Sequence, residues 1–526
     1  MKAFSELLGR LYFTSGNHAK AKIIQDYLAA TPDPDRGWAL AAIAGELQFD
    51  LFKRKLIKEL IVARVDPYLF DLSYDYVGEL SETVAHLWPS ADKVVKKPLP
   101  GLADLVDSFS SANKQDIAAL LSTLLDNMNA PERWALLKLG TRGLRVGVSA
   151  RFLKKILADY GNKDIAAVEK IWHGIEPPYT DLLHWLENKK EQPDFSDKAV
   201  FYPVMLAHPI DSANVESIHP DDWLAEWKYD GIRVQLVSHH DATVLFSRSG
   251  DDISHSFPDI VHCCPFKAVL DGELLIKRDQ QIAPFNDLQQ RLNKKKPSKK
   301  HQQDYPAHII FYDALKIETT DLSQQTLVER QAQLASLLQQ NHDPRFSFSE
   351  SLSFANLEAL TALRKQADSR TGNHVIEGLM LKRKRSLYVP GRPKGQWYKW
   401  KRDPLVVDAV MMYAQRGHGK RSSFYSDYTF GLWQEDQILP IGKAYSGFTD
   451  AELKQLDRWV RENTIGRFGP VREVDKALVL EVAFDSVHPS SRHKSGVALR
   501  FPRIHRIRWD KPSSEADVLS TLKKYL

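Results

Sequence analysis

Cysteine is almost absent from this chain: 526 residues contain 2, and these are neighbours, Cys263 and Cys264. Adjacent thiols build no disulfide framework, and two of them cannot furnish a four-cysteine zinc module. Long apolar runs are missing too, since no stretch reaches the roughly 18 residues that a membrane-spanning helix requires. The opening segment Met1-Lys2-Ala3-Phe4-Ser5-Glu6 carries an acid early and lacks the apolar core of an export signal. These absences lead to the expectation of a reducing cytoplasm and no membrane contact. A large surplus of one charge is lacking as well: Lys plus Arg number 72 against 67 Asp plus Glu, a net +5. That balance permits contact with nucleic acid without demanding it.

What is present is the composition of a folded chain, 43% hydrophobic and 26% charged, without repeats or low-complexity tracts. A chain of this length exceeds what one core sustains, so about two to four domains are expected. Basic residues are unevenly spread: seven fall between Arg492 and Lys511 against one acid, Asp510, and five lysines lie between Lys294 and Lys300. Such runs are more often solvated surface than binding sites.

Residues up to about 190 read as helices by their apolar period. Ile117, Leu120, Leu121, Leu124 and Leu125 form one stripe, and Ser149 is placed to cap a helix ending near Gly161. A Pro-rich stretch, 89–100, separates two helical groups. From about Tyr202 the pattern turns β-rich, with strand-like runs at 234–237, 243–246, 268–270, 274–276 and 309–311 and a helix at 327–339. Past Asp403-Pro404, several short strands and one helix at 450–462, capped by Thr449, suit a small OB-type barrel.

The most informative stretch is Glu226-Trp227-Lys228-Tyr229-Asp230-Gly231-Ile232-Arg233. A lysine keeps its proton to about pH 10.4, so a nucleophilic role requires a lowered pKa, which nearby cations, a metal or desolvation supply. Taken alone, the stretch also reads as a surface hairpin with Asp230-Gly231 as its tight turn. It does not stand alone. Ser247-Arg248-Ser249-Gly250, Leu270-Asp271-Gly272-Glu273, Phe311-Tyr312-Asp313, Glu377-Gly378-Leu379-Met380-Leu381-Lys382, Trp397-Tyr398-Lys399-Trp400-Lys401 and Arg500-Phe501-Pro502-Arg503-Ile504-His505-Arg506 follow in order.

In that order these fragments resemble the motifs of the covalent nucleotidyltransferases, most closely the ATP-dependent DNA ligases of the prokaryotic type with a helical DNA-binding domain. The resemblance spans roughly 280 residues, and ordered motifs are far more specific than any one of them. It implies a multidomain fold: an all-α DNA-binding domain at 1–195, an α+β nucleotidyltransferase domain of the ATP-grasp-like ligase kind at 196–403, and a C-terminal OB-fold β-barrel at 404–526. Asp403 matches the hinge position.

The same resemblance implies roles. Lys228 would form the covalent bond to AMP. Arg233 and Arg248 would contact the nucleotide or the nick phosphate, Glu273 the ribose, and Phe311 would stack on adenine, with edge contacts near Glu226. Lys382, Lys399 and Lys401 would surround the α-phosphate and lower the pKa of Lys228 by their positive field. Arg392 would also touch the nucleotide. Asp230 and Glu377 are the candidates for Mg²⁺, for which Mn²⁺ can substitute, because Mg²⁺ needs only one or two carboxylates beside water and phosphate oxygens. Arg500, Arg503, Arg506, Asp510 and Lys511 would close over the site and orient pyrophosphate. Within 143–149, Arg145 and Gly147 precede a helix start and resemble a DNA-backbone contact.

The implied activity is the sealing of nicks in duplex DNA with ATP, in repair, recombination or replication, by a monomer in the cytoplasm at the nucleoid. An RNA ligase or an mRNA-capping enzyme shares the lysine chemistry, but the long helical N-terminal region argues against both. NAD-dependent ligation is disfavoured by the missing four-cysteine module. A non-catalytic scaffold descended from a ligase is disfavoured by intact Lys228, Glu273, Glu377 and Lys399.

Overall fold

The computed structural model describes every residue except 48–51, 90–97, 114, 142–143, 196–197, 240–241, 293, 368–374, 418–422 and 492. Most of the Pro-rich stretch and Gly143 thus lie outside the described residues. The chain forms two compact units, one of 1–194, 408–482 and 503–517, the other of 195–407, 483–502 and 518–526.

In the first unit, helices from Lys2–Phe13 to Thr180–Leu186 fill the N-terminal part. Their positions follow local chemistry. The Ser149 hydroxyl accepts from Phe152 N at 3.2 Å and starts the helix Ala150–Gly161, which ends at Asn162 in the left-handed region, φ 48°. Ile117, Leu121 and Leu125 are buried, whereas Leu120 and Leu124 are only half-buried. Arg36 is buried and donates to Asp33, Glu187 and Leu28 O, tying Asp35–Ala44 to the end of Thr180–Leu186. A guanidinium out of water requires such pairing.

The C-terminal part of this unit is β-rich. Its strands run in the order Gln437–Ala444, Tyr425–Gln434, Leu405–Arg416, Val471–Val474 and Thr464–Phe468, and Val479–Phe484 pairs with both Leu405–Arg416 and Arg503–Arg508. The helix Asp450–Glu462 begins in a capping box of Thr449 and Glu452 and buries Leu453, Leu456 and Val460.

The described residues of the second unit hold two larger sheets beside the two-stranded pair Ser486–Pro489 and Val497–Arg500. We label its strands β1 (Trp223–Tyr229), β2 (Ile232–His239), β3 (Ala242–Ser247), β4 (Ala268–Arg278), β5 (Ala307–Ile317), β6 (Ile376–Arg383) and β7 (Trp397–Lys401). Strands β3, β2, β4 and β5 neighbour one another in one sheet; β7, β6 and β1 do so in the other. The runs at 268–270 and 274–276 are therefore one strand, β4, because Asp271 and Gly272 stay buried within it. The hairpin reading of 226–233 fails: β1 and β2 belong to different sheets, and Asp230-Gly231 carries the chain between them. Gly231 is needed there, since a Cβ would sit 2.6 Å from Leu274 O. Among the described residues no helix is long and apolar enough to cross a membrane.

Candidate active site

The β1–β6–β7 sheet builds the site by register. Lys228 pairs with Gly378, which pairs with Lys401; Glu226 pairs with Met380, which pairs with Lys399. Residues directly across, and those two apart along a strand, share one face. Glu226, Lys228, Lys382, Lys399 and Lys401 therefore project from the same side. A register shift at Glu377, beside Gly378 at φ 144°, turns the Glu377 carboxylate to that side. Lys228 Nζ donates to Glu377 Oε2 at 2.6 Å. Lys401 lies 3.3 Å from both Glu377 and Asp485.

Three acids surround Lys228. Burial acts to lower its pKa, but Glu377, Glu273 and Asp230 outweigh burial and raise it. The expectation that Lys382, Lys399 and Lys401 lower it is thus corrected: the carboxylates, Glu377 foremost at 2.6 Å, decide the sign of the shift. The cationic field falls on Lys399 instead, lowered first by burial and then by Lys401, Arg392, Lys228 and Arg248. Burial raises Glu273 to about 7, against the pull of Lys228. Asp230 and Glu377 form a close pair, in which burial and Glu377 push Asp230 up while Lys228 and Lys401 hold Glu377 down against burial. Arg500 pairs with Asp230, its guanidinium 3.9 Å over the Phe285 ring.

The β2–β4–β5 sheet supplies the other wall. Arg233 pairs in register with Glu273 and donates to Asp271 Oδ2 at 2.6 Å, while Tyr388 OH donates to the same oxygen at 2.5 Å. Arg233 Nε is buried without an acceptor among the described residues. Arg248 and Arg392 are exposed.

Two further expectations need correction. Phe311 does not face the site: it is fully buried, packed against Phe266 and Phe346 at ring separations of 6.4 and 5.5 Å. The cause is a bulge. Gly272 pairs with Phe311 and Asp271 with Asp313, leaving Tyr312 as the extra residue, which aims at the site with Lys382 Nζ 4.3 Å from its ring centroid. Lys382 is also buried, 1% exposed, and pairs with Glu226 at 2.8 Å, so it serves that carboxylate rather than an open phosphate position. Sequence reasoning missed Asp485, Tyr388 and Gln331, whose Nε2 donates to Glu226 at 2.7 Å; none of the three belongs to the ordered fragments.

Arg503, Arg506, Asp510 and Lys511 belong to the other compact unit. There Lys511 Nζ donates to Asp408 at 2.8 Å, and Asp510 accepts from Arg508 at 2.9 Å and lies 3.7 Å from Arg506. Asp403 is exposed and pairs with Arg364 at 2.6 Å. In the helical part Arg145 is exposed at φ 44°, and Gly147, at φ 68°, leaves room for Lys20, which donates to Val146 O.

Residues 204–401 match the family description "ATP dependent DNA ligase domain", and residues 421–511 match "ATP dependent DNA ligase C terminal region". A "Probable DNA ligase" of Koribacter versatilis is 36% identical over 427 residues, 76% of this chain and 73% of that protein. "DNA ligase 1" of Korarchaeum cryptofilum is 26% identical across 100% of this chain and 98% of its own length. The solved structure Pmar-Lig_PreS3 superposes with a TM-score of 0.60 at 18% identity, covering 96% of this chain and 99% of that one, a likeness of fold alone. The chain belongs to the ATP-dependent DNA ligases and is an enzyme of that family.

Proposed function

We propose that this ligase seals breaks in duplex DNA bearing a 5′-phosphate and a 3′-hydroxyl, using ATP through an AMP held covalently on Lys228. The observation that carries this reading is Lys228 set against Glu377 on the face that also projects Lys399 and Lys401. In the first step the Lys228 amine, having given its proton to a carboxylate or to water, attacks the α-phosphorus. The bond to pyrophosphate breaks, and a phosphoramide forms. A 5′-phosphate oxygen next attacks that phosphorus and releases the lysine, and the 3′-hydroxyl then displaces AMP. Each step is positioning plus neutralisation of phosphate charge.

The cations suit that work. Lys399, Lys401, Arg392 and Arg248 would hold phosphate oxygens; the Lys399 pKa is lowered first by burial and then by these neighbouring cations. The unpartnered Arg233 Nε suits a nucleotide oxygen, Glu273 the ribose, and Tyr312 the adenine face. Asp230 and Glu377 fit Mg²⁺ or Mn²⁺ as hard oxygen donors of sparse number. A divalent ion held there would offset the carboxylate charge that holds the Lys228 proton.

We read the architecture as a helical DNA-binding domain at 1–195, a nucleotidyltransferase domain at 196–403 and an OB-fold barrel at 404–526, hinged near Asp403. Arg500, Arg503, Arg506, Asp510 and Lys511 would act on pyrophosphate when that hinge closes. Arg145 and the left-handed backbone at Gly147 suit a DNA phosphate. The protein would act as a monomer in repair, recombination or replication.

Sealing assays test the reading. Nicked duplex DNA is joined with ATP and Mg²⁺, and Lys228→Ala joins none. Joining of nicked RNA alone, or equal joining by the variant, overturns it.

A further inference from the structure

Glu226 is 2% exposed and accepts from three donors. Gln331 Nε2 donates to Oε1 at 2.7 Å, while Lys382 Nζ and Ser349 Oγ reach Oε2 at 2.8 and 3.3 Å. Gln331 also donates from Nε2 to Tyr312 O at 3.1 Å. Both amide protons thus meet acceptors, which fixes the amide orientation: a flipped amide would set its oxygen against two other oxygens. The helix that carries Gln331, Leu327–Gln340, is itself held by Arg330, whose guanidinium grips Asp313 at 2.7 and 2.9 Å with both side chains fully buried. Arg330-Gln331 on the helix therefore reads Tyr312-Asp313 on β5 pair by pair.

The chemistry follows from hydrogen-bond polarity. Glu226 and Lys382 stand 2.8 Å apart, one an acceptor and the other a donor. Adenine shows the complement on its Watson–Crick edge, an amino donor at N6 beside an acceptor at N1; guanine shows the reverse, an acceptor at O6 beside a donor at N1. In the same orientation guanine would oppose acceptor to acceptor and donor to donor. That discrimination requires Glu226 to present its oxygens as acceptors, held where Gln331, Lys382 and Ser349 fix them. We infer that Gln331 is a positioning residue that holds Glu226 as a hydrogen-bond acceptor and so sets the preference for adenine over guanine. The inference rests on the proposed placement of the purine beside Glu226 and Tyr312.

The test is single-turnover self-nucleotidylation of the full chain with ATP and with GTP, for wild type and for Gln331→Met, Gln331→Glu and Glu226→Gln. Gln331→Met keeps the volume and removes the donor. It raises KM for ATP about tenfold, the worth of one hydrogen bond to a charged group, leaves the maximal rate within about twofold, and narrows the ATP:GTP preference by a like factor. Gln331→Glu is nearly isosteric and sets a carboxylate against Glu226 where an amide donor stood. It narrows the preference further. A purely structural role would move stability and leave the ratio of the two nucleotides alone. If both Gln331 variants keep the wild-type preference while Glu226→Gln loses it, the inference is wrong and the purine placement stands. If Glu226→Gln keeps it too, the placement fails first.

Discussion

Lys228 Nζ lies 2.6 Å from Glu377 Oε2, and with Glu273 and Asp230 alongside, the ammonium is held above its ordinary pKa. The resting nucleophile is therefore protonated near neutrality. Its neutral fraction rises with pH, and so should the first step, by about one log unit per pH unit until the raised pKa is reached. Glu377→Gln removes one of the acids, so its profile shifts toward lower pH even as its maximal rate falls. Stopped-flow or quenched release of pyrophosphate across pH 6 to 10 reads this, and a rate independent of pH above neutrality would contradict it.

Phe311 and Tyr312 separate packing from binding. Phe311→Ala empties a fully buried ring site and should cost about 3 to 5 kcal/mol of stability, visible as a lowered melting temperature. Tyr312→Ala should melt close to wild type and raise KM for ATP about tenfold or more, as loss of a base-stacking ring does. The reverse assignment of the two losses would refute the bulge as the device that aims Tyr312.

Gly378 makes the turn of backbone that presents Glu377. Its φ of 144° and a Cβ that would fall 2.2 Å from Trp400 O leave no room for alanine. Gly378→Ala should destabilise by roughly 1 to 3 kcal/mol and slow self-adenylylation more than tenfold, because Glu377 loses its place against Lys228. Wild-type adenylylation in that variant would show the bulge to be incidental.

His308 tests burial in the larger sheet. It is 3% exposed, hydrogen-bonds with Ser347 and Pro344 O, and burial lowers its pKa to about 4. Between about 6.5 and 4 the unfolded chain binds a proton that the folded chain refuses, so stability contributed by neutral His308 is present above that window and is lost as pH falls through it. The loss is at most about 3 kcal/mol. Urea unfolding at pH 7 and pH 4.5 should show a larger decline for wild type than for His308→Gln; equal declines would contradict the burial argument.

How much of this was legible in sequence depended on whether a residue's environment is local. Helix starts at Ser149, Thr326 and Thr449 rest on side chains two or three residues from the amides they cap, so short-range chemistry located Ser149 and Thr449. The ordered motifs singled out Lys228, Lys399 and Lys401, which the register sets on one face, and Glu377, which a register shift brings against Lys228. What escaped depends on pairing between distant strands. The bulge between β4 and β5 decides whether Phe311 or Tyr312 points inward, and no local pattern encodes it. The acids around Lys228 come from two sheets, so the sign of its shift emerged only once the sheets were assembled. Gln331 and Asp485 matter through what they touch in space.

The central claim is that Lys228 carries the AMP. Wild-type protein incubated with ATP labelled on the α-phosphate, then digested and mapped by mass spectrometry, should carry one AMP on the peptide containing Lys228. Addition of nicked DNA should discharge it, and Lys228→Ala should take up no label. Label on another residue, or undiminished label in Lys228→Ala, would contradict the account.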